Sequence, residues 1–119
     1  MRQQPRKRIE TFTVQRGELL RDVLPRRGDR YVHFCTLETF KEVVHAIDDY
    51  AGRGFVYEDI VSDIDLPNSQ VATAIAFLKE RGVIIPARRC QHKAAGIDAY
   101  LDGMLEWSAN EHHRLEAMA

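Results

Sequence analysis

Cysteine is scarce in this chain: two residues, Cys35 and Cys90, in 119. That excludes a disulfide scaffold, so the fold must rest on an apolar core, and a reduced, cytoplasmic setting is expected. Long apolar runs are also missing. No stretch approaches the roughly 18–20 apolar residues that a membrane-crossing helix needs, so no membrane partner is expected. The basic amino terminus is not followed by an apolar segment, which argues against a secretory leader. There is no glycine-rich phosphate loop, no nucleophile elbow and no His-Glu-x-x-His run. The acid pairs Asp48-Asp49 and Glu58-Asp59 are adjacent, and on a helix adjacent side chains diverge by about 100°. Neither catalysis nor a bound cofactor is therefore expected. Internal repeats and low-complexity tracts are absent too.

What remains is ordinary for a globular domain: 45% hydrophobic and 29% charged residues, enough for one domain with a modest core. The net charge of −1 conceals an asymmetry. Residues 1–30 hold nine Arg or Lys against four Asp or Glu, whereas residues 31–119 hold eight against fourteen. A basic arm on an acidic body suits contact with nucleic acid, and equally suits a tail that neutralises its own domain.

Residues 1–8 lack apolar periodicity and read as a disordered basic arm. From Ile9 to Val14 apolar and polar residues alternate, which predicts a half-buried strand, and Gly17 marks a turn. Residues 18–24 fit either a short helix or a second strand, stopped by Pro25 and the Arg26-Arg27-Gly28-Asp29 turn. Residues 31–35 read as another short β segment. Thr36 then suits a helix N-cap, and Phe40, Val43, Val44, Ile47 and Tyr50 follow at the spacing of one helical face. Gly52 or Gly54 ends that helix.

Residues 54–85, GFVYEDIVSDIDLPNSQVATAIAFLKERGVII, carry the strongest pattern in the chain. The β-rich triplet Phe55-Val56-Tyr57 leads into a short acidic helix with Ile60, Val61 and Ile64 inward. Leu66-Pro67 breaks it, and Asn68 or Ser69 can cap a second helix whose apolar stripe is Val71, Ala74, Ile75 and Leu78. Gly82 stops that helix, and Val83 to Arg88 continue as an extended strand. Residues 89–93 would form a loop tip, and Ile97, Tyr100, Leu101, Met104, Leu105 and Trp107 a last amphipathic helix.

This order of strand, helix, helix and strand resembles a winged helix-turn-helix, a unit that most often places its second helix in the major groove of DNA. The expected fold class is therefore α+β, mainly α: a winged helix-turn-helix over residues 36–108, with a small β-rich N-terminal extension over 9–35 and a tail over 109–119. The resemblance implies that Asn68, Ser69, Gln70 and Thr73 read or position double-stranded DNA, with Gln70 and Asn68 able to pair with adenine. Arg88, Arg89 and Lys93 fall where the wing would meet the phosphate backbone. It also implies a homodimer through the flanking helices, for which Tyr100, Met104 and Trp107 make a suitable apolar seam; an intramolecular core position serves each of them equally well.

One feature departs from the pattern. Glu58, Asp59, Asp63 and Asp65 crowd the first helix of the pair, and the second has no cation before Lys79. An acidic face suits protein docking, so a protein–protein interaction module is the alternative to a DNA-binding transcriptional regulator. The pairs His33 with Cys35 and Cys90 with His92 could together assemble a zinc site, and His112-His113 are adjacent. Neither pair has the usual ligand spacing, so buried cysteines and exposed histidines rank above a metal site.

Overall fold

The computed structural model describes residues 6–111. Three strands come first, β1 (Ile9–Gln15), β2 (Glu18–Leu24) and β3 (Tyr31–Thr36), joined as an antiparallel meander in the order β1-β2-β3. Four helices follow: α1 (Leu37–Asp49), α2 (Tyr57–Asp63), α3 (Asn68–Glu80) and α4 (Ala99–Ala109). Between α3 and α4 lies a two-stranded hairpin, β4 (Ile84–Pro86) with β5 (His92–Ala94). Phe55 forms an isolated bridge to His92 that extends the hairpin by one short strand.

This architecture corrects the expectation of a mainly α winged helix-turn-helix carrying a small β-rich extension. The described residues are 44% helical and 26% strand, with the strands first and the helices after. The first sheet is a structural layer of the domain. Its register explains why: Phe12 and Val14 on β1, Leu19 and Val23 on β2 and Cys35 on β3 share one face and are all buried. The stretch 18–24, open to two readings in the sequence, is strand β2, paired residue by residue with β1 and β3. Leu19 and Val23, four apart, would share a face in a helix as well, so their spacing alone leaves both readings open.

α3 packs against β2 and β3 on one side and against α1 and α2 on others. Its buried residues, Val71, Thr73, Ala74, Ile75, Phe77 and Leu78, cover more than a single stripe, as befits a helix enclosed by neighbours. A chain of aromatic contacts crosses the molecule through it. Phe12 meets Phe77 edge-on at 5.4 Å between ring centroids, Phe77 meets Phe40 at 5.9 Å, and Phe40 meets Trp107 at 4.8 Å. Sheet, α3, α1 and α4 thus share one core, and each such ring pair adds about 0.5–1.5 kcal/mol beyond its buried area.

The local stops are chemical. Thr36 accepts from Thr39 N at 3.2 Å and caps α1. Asp48, near the end of α1, accepts from Ala99 N at 2.7 Å and Tyr100 N at 3.0 Å, so a carboxylate holds the N-terminus of α4. Gly103 lets α1 and α4 approach closely, because a Cβ there would stand 2.9 Å from Val44 Cγ1. α3 is started by Pro67 with no side-chain cap, which replaces the expected Asn68 or Ser69 cap.

Trp107 is buried, Tyr100 stacks on His45 at 4.3 Å, and Met104 packs against the core. These three therefore belong to the intramolecular side of α4, and the large apolar residues it leaves exposed are Leu101 and Leu105, with Ile97 just before it. No described helix is long and apolar enough to cross a membrane.

Candidate nucleic-acid interface

The residues expected to touch DNA fall into three groups. Asn68 and Ser69 stand exposed at the start of α3. Their backbone carbonyls are already engaged, Asn68 O by the Tyr57 hydroxyl at 2.9 Å and Ser69 O by the Thr73 hydroxyl at 2.9 Å, but both side chains reach solvent.

Gln70 and Thr73 are turned inward. Gln70 is half-buried, and its Oε1 accepts from Thr36 N at 3.0 Å where β3 passes into α1. Thr73 has no exposed surface at all. A side chain enclosed by protein cannot meet a base edge, so Thr73 is corrected from a DNA contact to a core residue. Gln70 is corrected to a tie between α3 and the sheet. The cause is the β1–β3 layer, which covers the flank of α3 that a bare helix pair would leave open.

Arg88, Arg89 and Lys93 form the third group. All three are exposed on the β4–β5 hairpin, and among the described residues no carboxylate makes an ion pair with any of them. The tip is a tight turn in which Gln91 N donates to Arg88 O at 3.0 Å. Its two central residues, Arg89 (φ 55°) and Cys90 (φ 60°), are both left-handed, the backbone of a type I′ turn. That geometry pushes Arg89 and Cys90 outward at the apex.

The outward strip of α3, Ala72, Ala76 and Lys79, lines a groove of about 610 Å³ that is bounded by Tyr57 and by the Glu10–Arg21 ion pair of the sheet. The middle of α3 is therefore recessed behind the sheet, and its small side chains offer little to a base. Lys79 also borders a smaller cavity with Cys90 and His92, linking α3 to the hairpin. Burial there, with the Lys79 ammonium, lowers the His92 pKa below the usual imidazole value.

Elsewhere, Glu38 and Glu42 of α1 face Asp63 and Asp65 across a second groove of about 610 Å³ floored by Ile64 and Leu66. Tyr50, which donates to Asp63 at 2.9 Å, has its pKa raised to about 12 by burial and by that carboxylate. Burial also pushes the Cys35 thiol up to about 12. Cys35 lies under the sheet and Cys90 at the hairpin tip. Among the described residues no three His, Cys, Asp or Glu side chains converge as a metal site. His112, His113 and residues 1–5 of the basic arm lie outside the described residues. Arg6 and Arg8, expected to be part of that arm, make definite contacts: Arg6 N donates to Arg26 O at 3.1 Å, and Arg8 pairs with Glu10 at 3.3 Å.

Set beside known protein families, curated proteins and solved structures, the chain shows no match.

Proposed function

We propose that the chain binds double-stranded DNA as a homodimer, in the manner of the winged helix-turn-helix domains that residues 54–85 resemble in sequence, and serves in transcriptional regulation. The observation that carries this reading is the hairpin: Arg88 and Arg89 on its turn and Lys93 on β5 are exposed and free of ion pairs among the described residues. Cations so placed suit the phosphate backbone, where each contact releases counterions and makes affinity depend on salt. Asn68 and Ser69 are the expected residues left on α3 to meet a base or phosphate. With Gln70 and Thr73 engaged inside the fold, most of the binding energy falls on the backbone, and discrimination between sequences is small.

The test is a salt titration of binding to mixed duplex DNA with the Arg88→Ala/Arg89→Ala/Lys93→Ala variant. Loss of about three phosphate contacts should lower the slope of log affinity against log salt by about 3 and weaken all sequences alike. An unchanged slope removes the hairpin from the interface. Absence of any retention by the wild type at low salt removes DNA altogether.

The second reading, a protein-docking module, is favoured by the groove lined by Glu38, Glu42, Asp63 and Asp65 around Ile64 and Leu66. Four carboxylates beside apolar side chains suit a basic, partly apolar peptide, and they repel phosphate. Binding of such a peptide that is abolished by Asp63→Lys, alongside no DNA retention, would favour this reading.

A further inference from the structure

Strand β3 is the end strand of its sheet. The order β1-β2-β3 gives it one partner, and among the described residues no strand lies beside its other edge. In an antiparallel ladder the backbone groups of alternate residues point to opposite edges. Thr36 N is directed away from β2, because Gln70 Oε1 accepts from it. By parity, the N–H and C=O groups of Phe34 and Val32 also face the open edge.

Isolated sheet edges are normally blunted by lysine, proline, a bulge or an inward-pointing charge. The sequence of β3, YVHFCT, has none of these. It contains no Asp, Glu, Lys or Arg, its ladder with β2 runs without a bulge from Thr36 to Tyr31, and Val32 and Phe34 are 53% and 45% exposed. The opposite edge differs. β1 carries Glu10 in ion pairs with Arg8 and Arg21, and its Val14 is already bridged to Glu111.

We propose that β3 is the seam of a twofold dimer, pairing antiparallel with β3 of a second copy to give one continuous six-stranded sheet. The occupant is argued from the self-complementarity of the strand. A twofold axis at His33 sets Val32 opposite Phe34 of the other copy, and Phe34 opposite its Val32, with a pair of backbone hydrogen bonds on each side of the axis. A β-branched residue then faces an aromatic one twice over, a favourable cross-strand combination. No fixed charge of the strand meets its like. Thr36 N–H, already bonded to Gln70, is not required in this register. The seam deepens the dimeric part of the reading above and does not depend on whether DNA is the ligand. It differs from a seam on α4, where Leu101 and Leu105 are flanked by Asp102 and Glu106 with no cation on the helix to offset them.

Sedimentation of the full chain from about 1 to 100 µM, with a site-directed cross-link, decides the matter. Wild type should show a monomer–dimer equilibrium, and Val32→Lys/Phe34→Lys should raise its dissociation constant about tenfold or more. Leu101→Lys/Leu105→Lys should leave it unchanged. In a Cys90→Ser background, His33→Cys should give a covalent dimer on mild oxidation, since residues facing at the axis have Cα atoms about 4.5 Å apart, within disulfide reach. That cross-link also decides the case if the lysine variant does not fold. A wild type that stays monomeric over this range and a His33→Cys variant that does not cross-link overturn the proposal. So does a dimer that only the α4 substitutions dissociate. DNA retention is a separate readout and moves neither result.

Discussion

The hydroxyl of Thr73 donates to Ser69 O, one helical turn back, in a site without solvent. Ser69 O also lies at the i−4 position for the helical N–H of Thr73, so removing the hydroxyl strands no acceptor. Thr73→Val keeps the branching and nearly the shape. It should change stability by no more than about 1 kcal/mol and leave duplex-DNA affinity unaltered, measured by chemical denaturation and by a binding titration on the same preparation. A selective loss of affinity for one sequence would restore Thr73 to the interface. Its inward position was not legible from the residues alone. A threonine two turns into an amphipathic helix reads as an outer-face residue when one flank is assumed open, and nothing within α3 announces that β2 and β3 cover it. Gln70 misleads for the same reason, because its partner Thr36 N is 34 residues away. Val71, Ala74, Ile75 and Leu78, by contrast, are buried as their spacing indicates. Periodicity records which face is apolar. It is silent on polar side chains that a second layer encloses.

At the scale of single elements, the two hairpins show what a turn must contain to be read. Arg16 (φ 54°) and Gly17 (φ 76°) join β1 to β2 with left-handed backbone at both central positions, and the glycine marks the turn in the sequence. The β4–β5 tip uses the same backbone at Arg89 and Cys90 with no glycine. A loop tip after β4 was therefore legible, but not its form: the tight turn is Arg88–Gln91, and His92 and Lys93, read as part of the tip, are paired in β5. A left-handed conformation costs a residue with a Cβ about 1 kcal/mol or somewhat more. Cys90→Gly should accordingly raise stability by about 1 kcal/mol, seen as a higher denaturation midpoint with an unchanged slope. Under the proposed DNA-binding function, Cys90→Gly should leave duplex-DNA affinity unchanged, since it removes no charge, whereas Arg89→Ala should lower it. If Cys90→Gly destabilised the protein, the side chain would be packing in the cavity it shares with Lys79 and His92, and the turn would not be the source of strain.

For the whole molecule, the question is whether the first sheet is an addition to a helical domain or part of it. The alternation in β1 was legible, and so was a β segment at 31–35. Their standing as a structural layer was not, because it depends on the contact of Phe12 with Phe77 across 65 residues of chain. Leu19 gives the decisive measurement. It is fully buried on β2, paired with Val14 on one side and Cys35 on the other. Leu19→Ala removes core volume at the sheet and should cost about 2–5 kcal/mol. The single tryptophan, Trp107, lies at the far end of the aromatic chain, against Phe40 between α1 and α4. If sheet and helices unfold as one unit, urea denaturation of Leu19→Ala followed by tryptophan fluorescence and by far-ultraviolet circular dichroism should give one transition, shifted equally in both signals. If the sheet merely decorates the helices, the fluorescence transition should stay at the wild-type midpoint while the dichroism signal splits. Cooperative loss is the expected result, because Phe77 takes part in both halves of the core. The layer that encloses Gln70 and Thr73 and recesses α3 is then the same one that makes the domain stable.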